Sequence, residues 1–320
     1  MPVLTTSPWI PAEWIKAHGL VPRGIWGADL LRFDSLALSA GVCPFAEATA
    51  RLAENETGSA IVFTTACDQL RRTFDTLPVT TPPRAFLFNL PATWQTPTAR
   101  LMYRAELVRL GRFLVELGGL APTPETLRLE CVRHGEARER LFEAAPTAGA
   151  RDLAEALTHF QREGKVRLPP QATAKCGTIP LAIVGGPLPA AYWGVLDAIE
   201  NAGGSFTLNA TEAGERTLWK TPDPAGDPFE ALITSYCANL VDVFQRPNTR
   251  LYSWLEERLR ARRVRGIVLW HFTGCDLWRA EAQRMRDVFR LPVLVLEADE
   301  AQRRTPRDLG RIQAFIETLR

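Results

Sequence analysis

Histidine is scarce in this chain, with four in 320 residues, and that count disfavours a His-rich zinc site. There is no CxxC pair and no GxGxxG, so zinc-ribbon spacings and the dinucleotide fingerprint are both missing. Gly185-Gly186-Pro187 therefore reads as a tight strand-to-helix turn facing a cleft between two domains. No apolar run approaches the ~20 residues needed to cross a bilayer. A formal net charge of +2 gives no footprint of a general nucleic-acid binder. The N-terminal MPVLTTSPWIPAEW lacks the basic region and apolar core of a secretory signal. The six cysteines are therefore not expected to form a disulfide framework, and a cytoplasmic setting turns attention to metal binding or catalysis.

What is present is an ordinary globular composition, 46% hydrophobic and 23% charged, in a chain long enough for two domains with separate cores. The segment GSAIVFTTACDQLRRTFDTL, from Gly58 to Leu77, reads as a buried strand, then Cys67-Asp68, then a helix. GIVLWH, from Gly266 to His271, repeats this pattern: Cys275-Asp276 follows and opens DLWRAEAQRMRDVF. Cys43 also stands at a loop-to-helix junction, with Pro44 at the favoured first helical position. A thiol at a helix N-terminus meets free N–H groups and the positive end of the dipole, which favours the thiolate.

In chain order, IPAEWIKAHGLVPRGI supplies a short helix ending near Gly19, and Ala46 to Asn55 a second. A strand at Ala85–Leu90 precedes helices at Arg100–Leu117, Pro124 to about Ala144, and Arg151–Glu163. The connector KVRLPPQATAK separates these from a fresh strand, Thr178–Val184. A helix at Ala190–Asn201 and a strand at Ser205–Asn209 complete a βαβ unit. Then come helices at Asp227–Gln245 and Arg250–Arg263, the Cys275 unit, a strand at Pro292–Glu297 and a final helix near Arg307–Leu319. The expected fold class is α/β: two doubly wound parallel-sheet domains facing a cleft, with an added N-terminal helical segment. The expected domains are residues 1–165, the helical segment plus the first α/β domain, and 176–320, the second.

Other residues carry plainer readings. His18 is expected to be exposed at a helix end, and His134 and His159 to be solvated. His271 is either a proton carrier near Cys275 or a structural histidine at a strand edge. Asp68 and Asp276 read as helix caps, or as residues that orient the loops of the cysteines beside them. Arg71 and Arg72 are exposed helix arginines or contacts for CoA phosphates, and Trp94 lines a substrate cavity or plugs its loop. Cys131 and Cys237 sit on apolar helix faces and read as core, while the role of Cys176 stays open.

The ordered set IPAEWIKAHGLVP, CPFAEA, AIVFTTACDQLRR, FLFNLPATW, GCD, and LPVLVLEADE with RIQAFIETL resembles the D-component family of 2-hydroxyacyl-CoA dehydratases. That family includes benzoyl-CoA reductase subunits and double-cubane cluster proteins. The resemblance implies one [4Fe-4S] cluster per chain, held by Cys43, Cys67 and Cys275 as its metal ligands. A double-cubane [8Fe-9S] cluster, which uses six cysteines, is the alternative. The resemblance further implies an ATP-dependent iron–sulfur activator, a related second subunit or a homodimer, an acyl-CoA substrate, and anaerobic metabolism. One electron would pass to the thioester, expel the 2-hydroxyl group and be recovered, a hydro-lyase reaction. Neither nucleic acid nor membrane is expected as a partner. A reductase subunit of the same fold, and a cluster-free α/β scaffold, are the competing expectations.

Overall fold

The computed structural model describes residues 1–26, 42–56, 58–77, 84–171, 178–220, 226–298 and 306–320. The first half contains β1 (Pro2–Thr5), α1 (Ala12–Ala17), β2 (Val21–Gly24), α2 (Pro44–Asn55), β3 (Ala60–Thr64), α3 (Asp68–Thr76) and β4 (Ala85–Phe88). Three longer helices follow: α4 (Pro97–Glu116), α5 (Pro124–Ala144) and α6 (Ala150–Glu163). The second half runs β5 (Ile179–Gly185), α7 (Gly194–Asn201), β6 (Gly204–Ala210), α8 (Pro228–Asn239) and α9 (Thr249–Ala261). It ends with β7 (Gly266–Phe272), α10 (Asp276–Phe289), β8 (Val293–Ala298) and α11 (Pro306–Thr318).

The strands form two four-stranded sheets, ordered β2-β1-β3-β4 and β6-β5-β7-β8, and the strand pairs within both are parallel. Each half thus has the same order, second-first-third-fourth. In such a sheet the chain leaves the first and third strands in opposite directions, and a crevice opens beyond their carboxyl ends.

Burial on both faces explains the near-continuous apolar runs of β3, β5 and β7. Ile61 and Phe63 of β3 turn to one face and Ala60 and Val62 to the other. The first pair joins a cluster that also contains Leu181 and Ile183 of β5 and Trp270 and Phe272 of β7. One apolar mass therefore touches both sheets. The outer face of the first sheet packs on Leu107 and Leu114 of α4 and on Ile233 and Tyr236 of α8. Leu251 of α9 and Met285 of α10 cover the outer face of the second.

The two parallel sheets and the N-terminal helical elements agree with the sequence expectation, and several details differ. The N-terminal segment is not only helical, because β1 and β2 flank α1 and enter the first sheet. At four residues each they carry little periodicity, and Pro22 is tolerated because β2 lies at the sheet edge. Helix α8 stops at Asn239 instead of reaching Gln245. There the Asp242 carboxylate accepts from the Phe244 N–H at 2.8 Å and the Gln245 amide donates to the Leu240 carbonyl at 3.4 Å, closing a loop that precedes a cis Arg246-Pro247 bond. Trp14 and Gly111 pack over His18, which is buried, and its Nδ1 lies 2.8 Å from the Trp14 carbonyl. His134 is buried as well, its ring 4.6 Å from that of Phe160.

Candidate functional site

The crevices of the two sheets open into a single cavity of about 60 Å³. Its walls come from the chain just past β1 (Ser7), β3 (Ala66, Cys67), β5 (Pro187), β6 (Glu212) and β7 (Cys275), joined by Cys43 from the start of α2. Asp242 and Val243 arrive on the loop that follows α8. Phe45, Leu70, Phe272, Leu277 and Trp278 make the remaining wall apolar.

Three local devices hold the cysteines there. The Cys43 N–H donates to the side-chain oxygen of Gln69, 3.3 Å away and two residues beyond Cys67. Gly274, at φ +82°, turns the chain from β7 into Cys275, and a Cβ built on it would lie 3.8 Å from the Cys43 Cα. That φ is the left-handed region, where a side chain is strained. The Phe45 and Phe272 rings stack at 6.0 Å across the same junction.

Cys43, Cys67 and Cys275 occupy the N-cap positions of α2, α3 and α10. Their thiols close no formal cap hydrogen bond. Nearby amides still pull their pKa values down: Ala46 and Phe45 act on Cys43, Leu70 on Cys67 and Trp278 on Cys275. Burial outweighs them. It raises Cys43, and it drives Cys67 up to about 12, with the neighbouring Cys43 and Cys275 adding to the shift. Cys275 likewise reaches about 12, from burial first and Cys43 second. The helix amides thus favour the three thiolates as expected, and burial acts against them.

The carboxyl groups of the cavity were not singled out from the sequence. Burial pushes Glu212 up to about 8; the Asp242 charge adds to this and Arg216 offsets part of it. Arg216 is almost fully buried. It donates to the carbonyls of Gly185 (3.0 Å), Ala210 (3.0 Å) and Val241 (3.2 Å) and to Asp242 Oδ2 (3.0 Å), and its guanidinium lies 5.0 Å from the Trp278 ring. One cation thereby ties the ends of β5 and β6 to the Asp242 loop. A charged run such as TEAGER reads as surface in a sequence, and only the fold shows that it is turned inward.

The remaining candidates fall elsewhere. Asp68 and Asp276 are first-turn residues, not caps; Asp68 pairs with Arg71 and Arg72, and Asp276 with Arg279. Trp94 does not wall the cysteine cavity; its Nε1 donates to the Pro247 carbonyl at 3.0 Å beside a second, smaller pocket. Of the Gly185–Pro187 turn, Pro187 reaches the cavity. His271 lies buried within β7, an interior strand of its sheet, and does not line the cavity. His159 is half-buried, 3.6 Å from the Glu163 carboxylate. Cys131 is buried in the outer cluster of the first sheet and Cys237 lines the smaller pocket, while Cys176 lies outside the described residues.

Among the described residues, no three His, Cys, Asp or Glu side chains are grouped to hold a single metal ion. Such an ion would need thiolates about 3.8 Å apart at bond lengths of about 2.3 Å.

A family model described as 2-hydroxyglutaryl-CoA dehydratase, D-component, matches residues 9–319. No curated protein sequence matches the chain. Among solved structures, a mutant of laminin-binding adhesin (Lmb) from Streptococcus agalactiae is similar over 100% of this chain and 98% of that one, with 14% identity and a TM-score of 0.24. A Mn-bound periplasmic metal binding protein from candidatus liberibacter asiaticus is similar over 100% and 99%, with 10% identity and a TM-score of 0.25. At such TM-scores neither likeness carries an argument.

Proposed function

Because the chain belongs to the 2-hydroxyglutaryl-CoA dehydratase D-component family, a family of dehydratases with an iron–sulfur cofactor, we propose that it is the cluster-bearing subunit of a 2-hydroxyacyl-CoA dehydratase. Cys43, Cys67 and Cys275 are its ligands to one [4Fe-4S] cluster, and an ATP-dependent activator and a second subunit complete the system. Membership of this family places the chain among lyases acting on CoA thioesters. No helix among the described residues is long and apolar enough to cross a membrane.

One observation carries the ligand assignment: three cysteines far apart in sequence line a single cavity, each at a helix N-terminus. Thiolates are the donors that iron–sulfur clusters require, and three of them leave one iron open. The helix amides beside them support the negative charge of a thiolate-bound cluster. When bound, the cluster supplies one electron to the thioester and takes it back. Cys43, Cys67 and Cys275 would hold the cluster as thiolates, so binding it would release their protons.

The chain's own residues do the rest. Glu212 is the cavity's proton-bearing carboxyl group at neutral pH, with its pKa near 8. It can hand that proton to the departing 2-hydroxyl group, which leaves as water. Arg216 fixes Asp242 and the ends of two strands around it. Phe45, Leu70, Phe272 and Trp278 restrict water on the other side.

The test is activator-dependent turnover. With ATP, a reductant and a family activator, anaerobically purified protein with its partner subunit should convert a 2-hydroxyacyl-CoA to the enoyl-CoA. Cluster-containing protein that passes electrons without dehydrating would belong to the reductase branch. Protein with no iron or sulfide would be the scaffold.

A further inference from the structure

A CoA thioester is far too large for the cysteine cavity of about 60 Å³. A substrate of that class reacting there leaves its CoA portion, with the phosphate groups, on the surrounding surface. Arg71 and Arg72, which the sequence offered for those phosphates, are both matched by Asp68. The loop that follows α8 carries cations of a different kind. Asp242 and Val243 of that loop line the cavity, and Arg216 holds the Asp242 carboxylate. Three residues past Val243, Arg246 is exposed, and its guanidinium donates to the Val243 and Gln245 carbonyls. Arg250, near the start of α9, donates to the Cys237 and Ala238 carbonyls near the end of α8. Backbone carbonyls thus hold both guanidinium groups in place and leave both charges unneutralised.

Two more guanidinium groups stand beside them. Arg100 and Arg104, near the start of α4, share the Glu230 carboxylate at 3.0 and 2.7 Å. Arg100 and Arg250 both act on the Cys237 thiol, drawing its pKa down against the larger effect of burial, so the two charges flank one residue. The corner is tied together by backbone and ring contacts. The Arg246 N–H donates to the Ala92 carbonyl at 2.8 Å and the Trp94 indole to the Pro247 carbonyl at 3.0 Å, while the Arg250 guanidinium lies 4.4 Å from the Trp94 ring. Cations gathered with too few counter-charges repel one another, and a bound anion relieves that repulsion. Guanidinium groups present planar pairs of donors that match phosphate oxygens.

Resting on the dehydratase reading, we propose that Arg246 and Arg250 bind the phosphate groups of the substrate's CoA portion and so hold its thioester end toward the cysteine cavity. The bond from Arg246 to the Val243 carbonyl places this anchor directly behind the cavity wall. A carboxylate at the far end of an acyl chain is the other anion that such cations accept, and the experiment separates the two.

Binding, not turnover, tests this. Full-length protein purified anaerobically is titrated calorimetrically with butyryl-CoA, butyryl-pantetheine and glutaryl-pantetheine; none carries a 2-hydroxyl group, so none is dehydrated. Butyryl-CoA should bind at least about a hundredfold more tightly than butyryl-pantetheine, and added salt should narrow that gap. Arg246→Gln and Arg250→Gln should each weaken butyryl-CoA about tenfold and leave butyryl-pantetheine unchanged. The salt series needs no variant, so it decides even if Arg250→Gln does not fold. Butyryl-CoA affinity that ignores salt, or folded variants that bind it as the wild type does, would overturn the assignment and leave the dehydratase reading standing. Equal weakening of butyryl-CoA and butyryl-pantetheine in the variants would make the arginines structural and overturn it too. Glutaryl-pantetheine binding more tightly than butyryl-pantetheine, with the gain lost in the variants, would give the cations to an acyl-end carboxylate instead. Failure of the wild type to bind butyryl-CoA at all would overturn the two readings together.

Discussion

A cysteine at a helix N-terminus gains from free amides and loses from burial, and the balance depends on what surrounds the sulfur. At Cys43, Cys67 and Cys275 burial wins, and each thiol pKa is raised. The positions of these cysteines could be read from the sequence, since each follows a strand or loop and opens a helix. Their protonation state could not, because it depends on packing between segments some two hundred residues apart. Glu212 was hidden for the same reason. Its role has a direct test. Glu212→Gln should keep iron content and fold while lowering turnover about 10²–10⁴-fold, the usual range for a general acid or base. Wild-type turnover should fall as pH rises past about 8, where Glu212 loses its proton. A variant as active as wild type, with the same pH profile, would remove Glu212 from the chemistry.

The elements that present the site depend on close approaches of backbone. Gly185 ends β5 at φ +154°, and a Cβ there would sit 1.8 Å from the Trp270 carbonyl oxygen. That carbonyl accepts the Gly186 N–H at 3.1 Å, and the Trp270 indole returns a bond to the Pro187 carbonyl at 2.8 Å. Gly185→Ala should therefore pry β5 from β7 and cost several kcal/mol, on the order of a severe core substitution. Gly194→Ala, at the start of α7 with nothing within 4 Å of the added carbon, should be neutral or stabilise by about 0.5–1 kcal/mol. Thermal melts of the two variants decide; equal midpoints would contradict the contact. Strands buried on both faces were legible as apolar runs, as β3 and β7 illustrate. The short β1 and β2 were not, and neither was the early end of α8, which is set by the side chains of Asp242 and Gln245.

At the scale of the molecule, the N-terminal helix is bound to later elements through buried charge. Arg138 of α5 donates to Glu13 of α1 at 2.9 Å, and the Tyr236 hydroxyl of α8 donates to the same carboxylate at 2.7 Å. Burial alone would raise the Glu13 pKa, but His134 and Arg138 outweigh it and carry the group to about 2. Burial lowers His134 to about 4 against the pull of Glu13. Both folded values lie below the unfolded ones, so the unfolded chain takes up protons first as pH falls. This stability is fully present above about pH 6.5. The His134 part is lost as pH falls toward about 4 and the Glu13 part toward about 2, together on the order of a few kcal/mol. Urea midpoints should drop between pH 7 and pH 4, and His134→Phe should flatten that drop; an identical slope in the variant would contradict it. His134 looked solvated because its helix is rich in charge, and Arg138 of the same helix turns inward beside it.

The two sheets share one strand order, and the proposed cluster site stands where their crevices meet. That convergence is the central claim, and iron and sulfide analysis of anaerobically purified variants tests it most directly. Wild-type protein should carry about four irons and four sulfides per chain. Cys43→Ala, Cys67→Ala and Cys275→Ala should each lose most of both, while Cys131→Ala, in the outer core of the first half, should retain them. Full iron and sulfide in all three cavity variants would contradict the account.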